Sequence, residues 1–173
     1  MSYKGDINLV TNVDREVESL LIKDLRKEFP GIGFLAEESG ATGRDSGLKW
    51  VIDPIDGTTN FAHGFPFYAI SVALEKNGKP ILGIVYNPAQ EEFFCAQKGK
   101  RAFLNGKRIS VSRQKNLKKS LLMTGFSYKL GKSMEQNLKH FRNFLLASQA
   151  VRRAGSASLD LCYVACGRLE GFW

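Results

Sequence analysis

The stretch Trp50-Val51-Ile52-Asp53-Pro54-Ile55-Asp56-Gly57-Thr58-Thr59-Asn60-Phe61 constrains this chain more than any other part of it. An apolar run reads as a strand. It delivers two carboxylates onto a turn stiffened by Pro54, whose ring fixes its own backbone and restricts Asp53 before it. Gly57 lets a backbone or an anion approach closely. Thr58 and Thr59 add hydroxyls, and the amides of Gly57 and Thr58 can face an anion at the start of a short helix. Two carboxylates held close repel, and one tends to keep its proton unless a cation lies between them. Hard divalent cations such as magnesium take oxygen ligands of this sort. A lone Asp-x-x-Asp-Gly is most often a turn, but the block from Asp53 to Asn60 carries too many adjacent constraints for that reading alone.

The surrounding pattern supplies elements to hold the block. Thr11 followed by Asp14 predicts a capped helix start. Val13, Val17, Leu20, Leu21, Leu25 and Phe29 then recur at helical spacing until Pro30-Gly31. Residues 32–36 read as a strand running into Glu37-Glu38, and 40–47 as a polar, glycine-rich loop. Strands over 48–52, 67–76, 80–86 and 92–96 follow, with Asn77-Gly78 and Asn105-Gly106 as hairpin signals, the second leading into 108–111. This is a mostly antiparallel sheet with one long helix to cover it. After a polar connection at 112–119 come an extended segment at 120–124, a helix over about 134–146, a short extended piece at 151–153 and an apolar helix over 156–166 capped by Gly167. Residues 169–173 open a further strand. The aromatics Phe65, Phe67, Phe93 and Phe94 are expected in the core.

Composition narrows the class. Of 173 residues, 43% are hydrophobic and 24% charged, which suits a globular domain or two small ones. The apolar runs fall far short of a membrane span, and the first residues lack the apolar centre of a signal peptide, so a cytoplasmic setting without membrane contact is expected. Cys95, Cys162 and Cys166 form no zinc pattern and read as reduced core thiols. The net charge of +8 raises nucleic-acid binding. The basic residues are scattered without interleaved aromatics, however, so nucleic acid is possible but not favoured. His63 and His140 have no partner pattern; His63 follows the block and could touch phosphate, whereas His140 is expected at the surface.

Asp53-Pro54-Ile55-Asp56-Gly57-Thr58-Thr59-Asn60 closely resembles the metal-binding signature of the inositol monophosphatase family. Leu35-Ala36-Glu37-Glu38-Ser39 is similar to that family's first metal-ligand motif. Asn8-Leu9-Val10-Thr11-Asn12-Val13-Asp14 is similar to its Asp-Leu-Val-Thr-x-x-Asp segment, with Asn8 replacing the leading Asp. The resemblance continues through residues 64–73, 153–160 and 167–173. It implies an α+β/α/β sugar-phosphatase fold of alternating helix and sheet layers: a metal-binding unit over 1–115 with a mostly antiparallel sheet, and an incomplete α/β unit over 116–173.

The resemblance also implies a function: a lithium-sensitive phosphomonoesterase acting on inositol monophosphate or a related small phosphate ester, as a homodimer. Two or three magnesium ions would be held by Glu37, Asp53, the Ile55 carbonyl and Asp56. Asp14 and Thr58 would orient the attacking water, with Glu37 also in the catalytic set; Gly57 and Thr58 would hold the phosphate; Gly155, Ser156 and Ala157 would face the sugar or inositol ring. Related alternatives are a sugar-bisphosphate or nucleotide phosphatase, or an impaired fragment serving as a basic RNA- or protein-binding module. The family's final Trp-Asp-x-Ala-Gly motif would lie beyond Trp173 and its N-terminal helix before Lys4, so truncation at both ends is expected. Apolar surface from Leu159, Leu161 and Val164 is then expected to be exposed.

Overall fold

The computed structural model describes residues 2–3, 9–43, 47–126 and 132–173. Strands β1 (Ser2–Tyr3) and β2 (Leu9–Val10) pair antiparallel and lead into helix α1 (Asn12–Glu28). Thr11 caps α1, and Asp14 reaches back to the Thr11 backbone, which completes the capping box. Pro30 follows the helix end because it cannot continue the ladder.

An eight-stranded sheet comes next: β3 (Gly33–Ala36), β4 (Gly40–Thr42), β5 (Leu48–Asp56), β6 (Ala69–Lys76), β7 (Lys79–Asn87), β8 (Glu92–Gln97), β9 (Ala102–Leu104) and β10 (Lys107–Arg108), in the spatial order β10-β9-β8-β7-β6-β5-β3-β4. All neighbours are antiparallel except β3 and β5. Both Asn-Gly hairpins form, with positive φ at Asn77, Gly78, Asn105 and Gly106. The expected loop over 40–47 instead begins with β4; residues 44–46 lie outside the described set.

The second correction concerns Pro54. Rather than turning out of the sheet, the chain stays extended through Asp56, and the register jumps from Asp53↔Ser71 to Asp56↔Ala69. Proline has no N–H to give the ladder, so the strand bulges where pairing lapses.

A 3₁₀ turn at Leu117–Lys119 precedes β11 (Leu121–Met123), α3 (Lys132–Ala147), β12 (Ala150–Arg152), α4 (Ala157–Ala165) and β13 (Gly171–Phe172). β11 lies between β12 and β13, parallel to both. Between β5 and β6 the short helix α2 (Thr58–Ala62) carries the residues after Gly57.

Alternation along β6 sends side chains to two cores. Ile70, Val72 and Leu74 join Phe34, Trp50 and Ile52 under Leu21, Ile22 and Leu25 of α1. Ala69 joins Phe67, Phe94, Met123 and Leu169 around Leu159 of α4. Burying each large apolar side chain contributes roughly 1.5–3 kcal/mol, so α4 is fixed on the sheet by packing. Leu159 is therefore wholly buried, against expectation; Leu161 is 58% exposed and Val164 packs partly against the core. Phe67 and Phe94 are core as expected, whereas Phe65 and Phe93 are exposed: Phe93 adjoins Phe94 on β8 and so faces the other side, and Phe65 lies in the loop before β6. The three cysteines are free and half-buried.

Candidate active site

Glu37, Asp53, Ile55, Asp56, Gly57 and Thr58 line one cavity of about 260 Å³ together with Gly155, Ser156 and Ala157. Three stretches distant in sequence meet there: the end of β3, the bulge ending β5 with the turn into α2, and the start of α4. Asp14, Thr11 and Thr58 form a chain behind this wall. Asp14 is 2% exposed. Its Oδ2 accepts from the Thr11 amide at 2.8 Å and from the Thr11 hydroxyl, while Oδ1 lies 3.1 Å from the Thr58 hydroxyl. That hydroxyl is also 2.9 Å from the Ile55 carbonyl oxygen. Its one proton can serve either acceptor, so Thr58 can turn toward Ile55 and leave a lone pair of Asp14 for a water.

The carboxylates crowd one another. Burial first, then Glu37 and Asp56, push the Asp53 carboxyl up from 3.8 to about 8, and the protonated group shares a hydrogen bond with Glu37. Asp53 Oδ1 is buried without a hydrogen-bond partner. Asp56 is handled differently. Its Oδ2 accepts from the Ser158 amide at 2.6 Å and the Ser156 hydroxyl at 2.8 Å, and its Oδ1 accepts from the Ala157 amide at 3.3 Å. The two amides are among the free N–H groups of the first turn of α4, and the helix dipole favours the negative charge there.

An orphaned buried carboxylate oxygen beside two further acids is an environment that a divalent cation would satisfy, and the all-oxygen donor set suits a hard one. Among the described residues, however, no group of three His, Cys, Asp or Glu side chains is arranged to hold an ion as it stands. Asp56 is engaged with α4, so ligation would draw on its remaining lone pairs or loosen its bonds to α4.

Two acids escaped sequence reading. Glu18, 3% exposed, accepts from the Glu38 amide at 2.8 Å and the Ser39 amide at 2.9 Å, and so braces the turn that carries Glu37. Its signal was available: it lies one helical turn after Asp14, on a face a surface acid would avoid. Asp160, on the first turn of α4, is 1% exposed and lines the cavity with one oxygen unpartnered. Burial, and then Asp56, push it up to about 7. Arg153, Phe126 and Phe172 close the wall, with the Arg153 guanidinium 5.7 Å from the centre of the Phe126 ring. His63 and His140 are exposed and line no part of this cavity.

The family model for the inositol monophosphatase family matches residues 2–173. An inositol-1-monophosphatase of Mesorhizobium japonicum is 43% identical over 175 residues, covering 100% of this chain and 65% of the relative. A Nus factor SuhB of Pasteurella multocida is 40% identical and covers 99% of this chain and 65% of its own length. The crystal structure of the extragenic suppressor protein suhB from Bartonella henselae superposes with a TM-score of 0.95 at 42% identity, over 99% of this chain and 66% of that one. The chain thus spans just under two thirds of the length of these relatives.

Proposed function

The chain belongs to the inositol monophosphatase family, and from that premise we propose that its cavity hydrolyses a small phosphate monoester, inositol monophosphate or a related sugar phosphate, with magnesium. The observation that carries the reading is the meeting of Glu37, Asp53 and Asp56 with the Gly57–Thr59 turn and the Gly155–Ala157 wall around one cavity. Glu37, Asp53, the Ile55 carbonyl and Asp56 would hold two or three magnesium ions. When bound, divalent cations neutralise phosphate charge and acidify the attacking water.

The chain's own groups divide the remaining work. The Thr58 hydroxyl, which lines the cavity, holds the water, and Asp14 behind it, 3.1 Å from that hydroxyl, takes up the proton. The amides of Gly57 and Thr58 receive phosphate oxygens, which Gly57 permits by its φ of 97°. Gly155, Ser156 and Ala157 face the leaving group. Positioning and charge neutralisation carry most of such catalysis.

A substrate panel with magnesium tests this: turnover of inositol monophosphate above sugar bisphosphates and nucleoside monophosphates is expected, and no turnover of any ester would reject it. Lithium inhibition by competition for a magnesium site, a homodimer and a cytoplasmic setting belong to the same proposal. No helix among the described residues is long and apolar enough to cross a membrane. Glu18→Gln should weaken magnesium binding by about 10-fold or more while the helix stays folded, because only the support of Glu37 is lost. Calorimetric titration at neutral pH would reveal it, and an unchanged affinity would show that Glu18 braces nothing the metal needs.

A second reading rests on the net charge of +8 and on relatives that carry the name Nus factor SuhB. In it, the chain's basic surface contacts RNA independently of the cavity. RNA affinity that falls with salt and survives Asp56→Asn is its expected sign, and absence of affinity at low salt removes it.

A further inference from the structure

Asn60 does not line the cavity, yet it joins the two walls that do. Its side-chain amide donates to the Phe67 carbonyl at 2.6 Å and to the Ala154 carbonyl at 2.7 Å, the second lying 94 positions away. An amide nitrogen has two hydrogens, and both are used. Its backbone carbonyl accepts from the Phe65 amide at 2.8 Å, so the same residue also closes the loop that returns to β6.

The packing around it leaves no slack. A Cβ on Gly155 would stand 3.1 Å from the Asn60 Nδ2 and 3.2 Å from its Oδ1, so the amide lies flat against that glycine's bare face. A Cβ on Gly57 would stand 3.1 Å from the Phe67 carbonyl oxygen and 3.2 Å from that of Gly155. Both glycines have positive φ, 97° and 94°, so neither position admits another residue without strain. The turn that starts α2 and the segment that starts α4 therefore touch backbone to backbone, and the Asn60 amide is the hydrogen-bonded tie between them.

This tie differs in kind from the other link. Asp56 also bonds α4, through Ser156, Ala157 and Ser158. Asp56, however, is a group that a cation would recruit. Asn60 is uncharged, sits outside the cavity and has no such competing use.

We propose that Asn60 is a positioning residue that sets the spacing between the phosphate-holding turn at Gly57–Thr59 and the leaving-group wall at Gly155–Ala157. It keeps that spacing when Asp56 is engaged elsewhere. The catalytic side of this inference rests on the phosphatase reading above; the structural side does not. Losing the tie releases the leaving-group wall and leaves Glu37, Asp53 and the Asp14–Thr58 pair in place. Substrate binding should suffer, and the chemical step should not.

The test uses Asn60→Ala, which removes both donors without adding charge, and Asn60→Asp, which keeps the shape but sets an oxygen against two carbonyls. Two quantities are measured on the full chain. The first is amide hydrogen exchange over residues 154–158 in metal-free protein. Faster exchange there, with protection of β5 and β6 unchanged, is expected. The second is steady-state kinetics on the best ester of the panel. KM should rise by about 10-fold with kcat within about 2-fold, and the magnesium concentration giving half activation should hold. A kcat loss at constant KM, the mark of a smaller folded fraction, overturns the proposal, as does unchanged exchange. If Asn60→Asp fails to fold, Asn60→Ala alone decides. If the wild-type chain turns over no ester, the phosphatase reading fails, and the exchange measurement still decides whether Asn60 is the tie.

Discussion

Asp53→Asn is expected to make the metal-free protein more heat-stable at about pH 8 and to abolish its magnesium-dependent hydrolysis. The sign follows from proton linkage. In the folded chain the Asp53 carboxyl titrates at about 8, against 3.8 for the free group. Between those values the folded chain holds a proton that the unfolded chain releases. Metal-free stability therefore falls as pH rises through this window and levels off above about pH 8. Asparagine never ionises, so the variant escapes the loss, and its advantage grows with pH. One pKa unit corresponds to roughly 1.4 kcal/mol; even with a discount for solvent screening the advantage at about pH 8 should reach a few kcal/mol, or several degrees in Tm.

Magnesium should reverse the order. It stabilises the wild type by satisfying the Asp53 charge, and it should do little for the variant. Activity should drop by more than about 10³-fold, since the amide supplies neither the charge nor both lone-pair sets. Thermal melts at about pH 5 and about pH 8, each with and without magnesium, check all of this. A variant less stable than wild type at the higher pH, and still active, would show that the three acids do not form a cation site.

Asp14→Asn should cost kcat by about 10²–10⁴-fold, the range for a lost base, with KM little changed. The same substitution removes the charged half of the capping box and should destabilise α1 by about 1–2 kcal/mol. Thr58→Val separates the two effects. It is nearly isosteric, deletes the hydroxyl that faces Asp14 and leaves the Thr11–Asp14 cap intact. It should lower kcat by a comparable factor while α1 keeps its capping box. Equal kcat in wild type and Thr58→Val would remove Thr58 and Asp14 from the proton path and leave Asp14 as a helix cap only.

How much of this was legible beforehand can be read from single residues. Thr11 and Asp14 announce a helix start because a cap is satisfied within one turn of chain. Asn77-Gly78 announces a hairpin because two adjacent residues must take positive φ. Pro54 was read as a turn. Its stiffness was judged rightly, but whether a stiff segment turns or bulges depends on the neighbouring strand, here β6 through Ser71 and Ala69. Phe65 and Phe93 were taken as core because they are aromatic, whereas strand alternation placed Phe93 outward and Phe65 fell in the exposed loop before β6. Glu18 was passed over because its partners, the amides of Glu38 and Ser39, lie some 20 residues on and carry no side-chain signature.

The sequence alone established the acidic block, the helix cap, the hairpins and the family. Each of these rests on contacts within a few residues or on a string of side chains that spells itself out. Folding decided which groups those acids face. Asp56 reaches the Ala157 and Ser158 amides of α4 across 101 and 102 positions, Asn60 reaches Ala154 across 94, and Asp53 keeps its proton because folding buries it and β3 brings Glu37 beside it. Backbone amides and carbonyls are the same in every residue, and electrostatic crowding depends on distance in space. Neither leaves a mark in the order of side chains, so both had to be read from the folded chain.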